Sequence, residues 1–406
     1  MNKVRKSIEY SIKDGICWAS MVGFVEPYII PFAINLGSNN LFIGFLRSIP
    51  SLLSSLSQTV SEMLVVRLRS CKKVVFHAVF VQALTIFIIS FSIFINIWWS
   101  KYFFLLMIII YNFSGSIASA PWATLMGEYL PANKRGRFFG IRLQIIGVVF
   151  FLSSFIAGYF LKKYHSSEKE ILFVFFILAS FFRFLSAYYV SLMYEPEKKF
   201  HIPQKYTHFY DFLSFSLDSY MKKIFTAIFL LLFSVYIAAP YFSVYVLKEL
   251  KFDYMRYMFL TSFGQVLIWI SARGWGRIVD RYGSVLTLEK GLLFIPFISL
   301  LWMLTKNFWY LLLVEVFSGF VWGAFSIVYN TIIYEYVESK ERTRYTACLI
   351  FVMSIAQFLG SIIGGLLYDG VKTSFSPFLL LLGLSTIGRF IALFYFKKVV
   401  LLKTQS

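Results

Sequence analysis

The sequence predicts an all-α integral membrane protein, with twelve transmembrane helices in two pseudo-symmetric six-helix bundles. Three observations predict it: the composition, a series of long apolar runs, and motifs that recur in the second half of the chain. Of 406 residues, 59% are hydrophobic, 20% are aromatic and only 15% are charged, whereas about a quarter of a soluble protein is charged. Soluble domains could not bury so much apolar surface, so we expect lipid to solvate much of it.

The apolar runs are long enough to cross a bilayer, which takes about 20 residues per helix. Shorter runs, each interrupted by a charge, complete the set. The predicted spans are about 15–34, 41–64, 74–97, 103–127, 141–161, 171–193, 224–247, 257–273, 285–305, 308–333, 346–368 and 374–396. No small-residue cleavage site follows the basic first residues, so we expect the first helix to be retained. The one long connection predicts an N-terminal bundle over 1–193, a linker over 194–223 and a C-terminal bundle over 224–406.

The formal net charge of +19 tests the orientation of these spans. If the N-terminus lies inside, 27 of the 39 Lys and Arg residues fall on inner segments and nine on outer loops. The remaining three, Arg47, Arg183 and Arg389, lie within spans. This bias matches the positive-inside rule. It predicts a multi-pass protein of the cell (inner) membrane with both termini and the linker in the cytoplasm, and it removes the reason to expect a nucleic-acid partner.

Several motifs recur at a nearly constant offset, which indicates a duplication. Glu128-Tyr129 and the following Arg135-Gly136-Arg137 return 207 residues later as Glu335-Tyr336 and Arg342-Thr343-Arg344. The other matches are Ser153–Gly158 with Gly360–Gly365, Arg183-Phe184 with Arg389-Phe390, and Pro27-Tyr28 with Pro240-Tyr241. Because each half holds an even number of spans, the halves form a parallel repeat. The Gly360-x-x-x-Gly364 stripe predicts close helix packing.

The loop between spans eight and nine reads Gly276-Arg277-Ile278-Val279-Asp280-Arg281-Tyr282-Gly283. This resembles the Gly-x-x-x-Asp-Arg-x-Gly signature of the major facilitator superfamily, and Gly23–Tyr28, Pro121-Trp122 and Arg135–Gly140 resemble a poorly characterised prokaryotic branch of it. The equivalent first loop, Val66–Lys73, keeps the cations but lacks the Asp and both glycines. The resemblance implies cytoplasmic gating loops, at Arg67, Glu128, Arg135, Arg137, Gly276, Asp280, Arg281, Gly283, Glu335, Arg342 and Arg344.

Each charge within a span needs a reason, because an ionisable group at mid-bilayer costs at least about 2.5–3.5 kcal/mol. Glu26 lies 11 residues into span one and precedes Pro27, where we expect the helix to break. If the superfamily arrangement holds, Glu26, Arg47 and Glu315 share one polar chamber, where Glu26 titrates a proton or binds substrate. The alternative is a static ion pair that fixes helix packing.

We expect the duplicated Arg183 and Arg389 to be structural anchors that reach towards the inner surface. Other polar or aromatic side chains on presumed cavity helices are predicted to contact cargo: Asn112, Trp122, Gln265, Tyr329 and Asn330. The three cysteines and four histidines are scattered, so we expect no metal site. We expect no cofactor either, and the phosphate-binding loop of an ATPase is missing from the sequence.

The resemblance implies a secondary active transporter that moves a small organic solute by alternating access as a functional monomer. We expect coupling to a proton or another ion, and we favour efflux of an amphipathic compound slightly over nutrient uptake. Two alternatives stay open. One is a transport-incompetent relative that acts as a sensor or assembly partner, which the altered first loop favours. The other is a polytopic membrane enzyme, but the sequence shows no cluster of His, Asp or Ser at one membrane face, and we expect no enzymatic activity.

Overall fold

The computed structural model describes residues 2–94, 99–130, 132–195, 218–338, 341–370 and 376–404, excepting the side chains of 2, 58, 59, 132–137, 165, 330, 343 and 401–404. Most of the predicted linker lies outside these residues. The described part is helical and contains no strand. In chain order the helices are α1 (Asn2–Val25), α2 (Ile29–Asn35), α3 (Asn40–Ser55), α4 (Ser57–Leu68), α5 (Cys71–Ser92), α6 (Ser100–Tyr129), α7 (Ala132–Lys163), α8 (Glu168–Leu192), α9 (Ser219–Ala238), α10 (Phe242–Val244), α11 (Tyr254–Tyr282), α12 (Ser284–Leu304), α13 (Phe308–Tyr336), α14 (Arg342–Gly370) and α15 (Pro377–Thr404).

Ten helical segments in the described residues are long and apolar enough to cross a membrane. Predicted spans two and eight are not among these ten segments, and the structure shows why. Span two is divided at Leu56 into α3 and α4, which are 16 and 12 residues long. Span eight is α11, whose 29 residues include Arg256, Arg273, Arg277 and Arg281. The helices therefore follow the predicted order of spans.

The first span breaks where its proline predicts. A 3-10 turn, Glu26–Tyr28, separates α1 from α2, because Pro27 has no amide hydrogen to donate to the preceding turn. The seventh span breaks in the same way, with a 3-10 turn at Ala239–Tyr241 around Pro240. A π-helical turn, Tyr245–Glu249, then ends that span. Glu26 is thus the first residue of an irregular turn.

The chain forms two compact units. The first comprises 1–38 and 53–211, and the second comprises 39–52 and 212–406. In the first, α1 packs on α7 and α8, α5 packs on α6 and α8, and α4 packs on α6. In the second, α9 packs on α14 and α15, α12 packs on α13 and α15, and α11 packs on α13. The same five pairings occur in both units, so the duplication is present in the tertiary structure.

Matching tyrosines hold the broken spans in the two units. The Tyr28 hydroxyl donates to the backbone oxygen of Ser154 at 2.7 Å, and the Tyr241 hydroxyl donates to that of Ser361 at 2.5 Å. The two acceptors lie 207 residues apart, the offset of the sequence repeat. Close packing here requires glycine in the second unit, because a Cβ on Gly364 would overlap the Ile237 carbonyl oxygen.

Large apolar side chains cover much of the exterior. Exposed examples on α5 and α8 are Phe80, Leu84, Phe91, Val174 and Phe181. Small polar residues such as Ser90, Ser154 and Ser186 are buried instead. This distribution is the one expected of a protein whose helices are solvated by lipid and joined internally by polar contacts.

Candidate functional site

Glu26 lies at the helix break and has a specific partner. Its side chain is half-buried, and its Oε1 accepts a hydrogen bond of 3.0 Å from the Tyr111 hydroxyl of α6. Tyr111 is buried, and its hydroxyl also lies 3.4 Å from the Met21 sulfur. One side of the carboxylate is therefore held by a phenol that is itself fixed in the core.

A chain of hydrogen bonds extends from Tyr111 into the bundle. Gln82 of α5 donates from Nε2 to the Tyr111 backbone oxygen at 3.1 Å, and its Oε1 accepts from Arg183 Nε at 2.7 Å. Arg183 Nη1 donates to Ser186 Oγ at 2.9 Å. The Ser186 hydroxyl then donates to Asp14 Oδ1 at 2.6 Å. Side chains of α5 and α8 thus connect the middle of the first span with Asp14 near its start.

Asp14 is also paired with a cation. Arg142 Nη2 of α7 lies 3.7 Å from Asp14 Oδ2, and the two side chains are 13% and 7% exposed. The guanidinium group stacks over the Trp122 ring, 4.3 Å from its centroid. We call the connected set the buried polar network: Asp14, Glu26, Gln82, Tyr111, Arg142, Arg183 and Ser186. Its two carboxylates and two guanidinium groups balance in charge.

Sequence reasoning missed most of this network. Asp14 falls just before the predicted first span, and Arg142 lies at the start of the predicted fifth span, so the sequence pattern marks neither as a buried charge. The expectation that Arg183 reaches the surface is wrong, since it is 4% exposed and bonded within the bundle. The charges themselves were visible in the sequence, but their pairing joins helices far apart in the chain.

The second unit keeps the arginine of this network but not its partners. Arg389 is also buried, so it is not a surface anchor either, and it donates to Ser385 Oγ at 3.1 Å and to the Ile295 backbone oxygen at 3.2 Å. In the repeat, the position equivalent to Ser186 is Ala392, and the position equivalent to Asp14 is Ala227. No carboxylate among the described side chains forms an ion pair with Arg389. The acid-containing network is therefore specific to the first unit.

Arg47 and Glu315 lie in the second unit. Glu315 Oε1 accepts a hydrogen bond of 3.0 Å from Trp302 Nε1. Its Oε2 lies against Gly264, where an added Cβ would be 2.7 Å away. Arg47 is half-buried on α3, and its backbone oxygen accepts from Gln357 Nε2 at 2.9 Å. The described side chains show no ion pair between Arg47 and Glu315.

The other residues predicted to line the cavity lie on different helices and have different contacts. Asn112 donates to the Ile108 backbone oxygen of its own helix at 2.9 Å. Tyr329 stacks on Phe325, and Gln265 is half-buried on α11. The side chain of Asn330 lies outside the described residues. Trp122 contacts the buried polar network, through Arg142.

The loop of the second unit that resembles the superfamily signature, Gly276–Gly283, turns at Gly283. This residue has a φ of +81°, a conformation that glycine adopts without a steric penalty. Glu335 Oε2 accepts a 2.7 Å hydrogen bond from the Ser284 amide and so stabilises the start of α12. Gly276 lies inside α11, where an added Cβ would meet nothing within 4 Å. The turn itself therefore depends on Gly283.

The remaining gating-loop residues are mostly at the surface. Arg342 donates to the backbone oxygens of Val337 and Tyr334 at 3.0 and 3.1 Å, and so caps the end of α13. Arg281 lies over the Tyr282 ring at 5.3 Å. Asp280 makes no ion pair with any described side chain. Exposed residues are Arg67, Glu128, Asp280, Arg281 and Arg344, and the side chains of Arg135 and Arg137 lie outside the described residues.

The fold resembles those of several solved transporters. A bacterial homologue of the iron transporter ferroportin, in an inward-facing state, matches with a TM-score of 0.75 and 13% identity, covering 97% of this chain and 98% of that one. The nucleoside transporter NupG matches with a TM-score of 0.70 and 14% identity, covering 98% and 100%. A D-xylose-proton symporter matches with a TM-score of 0.68 and 13% identity, covering 97% and 96%. At this identity the likeness shows the fold alone.

The family assignment comes from the sequence comparison. No curated protein matches the chain. The family model described as Major Facilitator Superfamily matches residues 16–305 and 291–405, which is nearly the whole chain. The same helix pairings within each of the two units agree with an internal repeat. The chain therefore belongs to the major facilitator superfamily, as a multi-pass membrane transporter of small solutes rather than an enzyme.

Proposed function

We propose that the protein is a proton-coupled secondary transporter in which Glu26 binds the coupling proton and, in exchange for it, an amphipathic organic cation. The observation that carries this proposal is the position of Glu26. It is an acid at a helix break within a membrane span, and the Tyr111 hydroxyl is bonded to one of its oxygens. Ionisable groups placed in this way mark ion or substrate pathways in membrane proteins.

The charge balance of the buried polar network supports exchange at Glu26. With both carboxylates ionised, Asp14 and Glu26 offset Arg142 and Arg183. Neutralising Glu26 leaves one excess positive charge beside Tyr111 and Gln82. Either a proton or an organic cation at Glu26 produces this change, and simultaneous binding of both would add a second charge. The two ligands should therefore compete.

The irregular backbone at Glu26 gives the site access to further polar groups. Proline breaks in a membrane helix free backbone carbonyls that would otherwise bond within the helix. The turn at Glu26–Tyr28 begins at the carboxylate itself. Aromatic side chains make up 20% of the chain, and their ring faces attract organic cations. These properties favour an amphipathic cation over a sugar or an anion.

The test is cation exchange in proteoliposomes containing the full-length protein. Vesicles loaded at acidic pH are diluted into alkaline buffer with either ethidium or tetraphenylphosphonium as the probe. We expect saturable accumulation of a probe that depends on the proton gradient. Glu26→Gln, which keeps the shape of the side chain and removes its charge, should abolish the dependence on pH.

Glu9→Gln is the matched control. Glu9 lies on the same helix, but it is exposed and pairs with Arg5 at 3.6 Å. This variant should keep both flux and pH dependence. If Glu26→Gln exchanges the probe with the wild-type pH dependence, Glu26 is not the coupling group. If the wild type moves the probes without any proton dependence, the proposed coupling is wrong.

A second candidate function rests on the first-unit loop. Arg69 occupies the turn that follows α4, with a φ of +49°, where the second unit has Gly283. The signature of the superfamily is therefore altered at its turn. A relative adapted to sensing or assembly instead of transport would show no saturable flux of any solute in the same vesicles, while retaining specific ligand binding or a protein partner.

A further inference from the structure

We propose that the first unit contains a binding site for the phosphate of an anionic phospholipid headgroup. The site is a groove of about 730 Å³ between the first turns of α1, the turn before α5 with the first turn of α5, and the end of α8. Five cations line it together with a single carboxylate: Lys3, Lys6, Arg69, Lys72, Lys73 and Glu195. This inference does not depend on transport or on Glu26.

The cations of the groove are not neutralised by the protein. Among the described side chains, none of the five forms an ion pair with a carboxylate. The Glu195 carboxylate is bonded to uncharged groups: it accepts from the Ser70 hydroxyl, and its Oε1 accepts from the Lys72 backbone amide at 3.2 Å. The groove thus holds five positive charges against one negative charge. A phosphate group, which accepts several charge-assisted hydrogen bonds at once, suits such a cluster.

The fold itself does not require these cations. The equivalent turn of the second unit has Gly283 where the first has Arg69, and each is followed by a serine. When the two turns are aligned in this way, Leu286 is equivalent to Lys72 and Thr287 is equivalent to Lys73. At these three positions the second unit connects its two helices with uncharged residues. The positive charges of the first unit therefore serve something other than the helix pairings.

Arg69 shows this most clearly. Its φ of +49° is in the left-handed region, where a side chain with a Cβ is strained. Glycine at this position would relieve the strain, because it has no Cβ. The chain instead has an arginine there, and its side chain is exposed at the groove. A strained residue that carries a charge into a cluster points to a function for that charge.

The surroundings favour a lipid over a free anion. Leu192 lines the groove and is 40% exposed. Beyond the groove, α5 presents a row of exposed apolar side chains at helical spacing, namely Phe80, Leu84, Phe87 and Phe91. An acyl chain can lie along this row while its headgroup occupies the groove. On the orientation that the cation bias predicts, the groove also faces the cytoplasmic leaflet, where basic pockets bind anionic headgroups.

Native mass spectrometry of the full-length protein tests the proposal. The protein in detergent is mixed with phosphatidylglycerol and phosphatidylcholine of equal chain length. We expect wild-type protein to retain one phosphatidylglycerol in preference to phosphatidylcholine. Arg69→Gly and the pair Lys72→Gln/Lys73→Gln should weaken retention, by about fivefold for each cation removed, the effect of one surface cation on an anionic lipid. Glu195→Gln should strengthen it.

Two features keep the result interpretable. Arg69→Gly removes a charge and relieves backbone strain, so its thermal midpoint should not fall, and lost binding cannot be assigned to unfolding. Lys222→Gln removes an exposed lysine at the start of α9, outside the groove, and should leave retention unchanged. Equal retention by wild type and groove variants would overturn the proposal, as would an equal loss in Lys222→Gln.

A parallel arm uses inorganic phosphate alone. If phosphate raises the thermal midpoint of the wild type but not of Arg69→Gly, and phosphatidylglycerol shows no preference over phosphatidylcholine, the groove binds a free anion and the lipid assignment is wrong. If phosphatidylglycerol is retained selectively and phosphate has no effect at millimolar concentration, the lipid assignment stands.

Discussion

The carboxylate of Asp14 and the guanidinium group of Arg142 lie 3.7 Å apart between α1 and α7, and both are largely withdrawn from solvent. Removing one member of a buried pair leaves the other uncompensated, which destabilises proteins by about 3–5 kcal/mol. We expect Asp14→Asn to lower the free energy of unfolding by about this amount, measured by chemical denaturation in detergent.

The double variant Asp14→Asn/Arg142→Gln provides the control for that prediction. Because it removes both charges, it should be less unstable than the sum of the two single variants. An additive result would show that the two residues do not interact in the folded protein.

The two equivalent arginines should respond differently to the same substitution. Arg183 bonds to Gln82 and Ser186 within a network that contains Asp14, whereas Arg389 bonds only to Ser385 and a backbone oxygen among the described contacts. We expect Arg183→Met to cost about 3–5 kcal/mol because it breaks a charge network, and Arg389→Met to be nearly neutral. Thermal midpoints measured side by side check this, and equal losses would contradict it.

The matching tyrosines provide a third prediction. Tyr28→Phe and Tyr241→Phe each remove the hydroxyl that bonds a buried backbone oxygen, at Ser154 and Ser361 respectively. Each should lower the free energy of unfolding by about 1–3 kcal/mol, the usual effect of leaving a buried acceptor unpaired. Because the two contacts are repeat equivalents, we expect similar values from denaturation curves. A loss in only one variant would show that the units use this contact differently.

The two loop turns should respond in opposite directions. Gly283→Ala places a Cβ at a φ of +81° and a ψ of +164°, a region essentially restricted to glycine, and 2.8 Å from Glu335 Oε1, so we expect it to cost about 1–3 kcal/mol. Arg69→Gly removes the milder strain of a left-handed helical conformation, with a φ of +49° and a ψ of +34°, so it should be neutral or slightly stabilising. Thermal unfolding of both variants decides this. A destabilised Arg69→Gly would show that contacts of the arginine side chain outweigh its backbone strain.

Gly264 and Glu315 give a further test. A Cβ on Gly264 would lie 2.7 Å from Glu315 Oε2, so Gly264→Ala must displace the carboxylate or the helix. We expect a loss of about 1–3 kcal/mol, as for overpacked cores. Glu315→Ala in the same chain removes the clash and should recover part of the loss. No recovery in the denaturation midpoint would mean that the added methyl group conflicts with α13 itself.

Much of the fold could be predicted from the sequence because its determinants are local. Pro27 and Pro240 indicate the broken spans without reference to any other residue. The match of Arg183 with Arg389 indicates the duplication. The site was less predictable. Glu26 was singled out as an acid within a span, but its contact with Tyr111 depends on how α1 and α6 meet.

By itself, the sequence determined the membrane environment, the order of the spans, the internal repeat and the family, because apolar length, prolines and motif spacing are properties of the linear chain. Only the tertiary structure decided which charges meet. Asp14, Arg142 and Arg183 are separated by up to 169 residues, and their interaction depends on which faces of α1, α7 and α8 pack together. The same is true of the groove at Arg69, whose cations come from the start of α1, the turn before α5 and the first turn of α5. The positive electrostatic potential that these cations produce together arises only when those segments lie side by side.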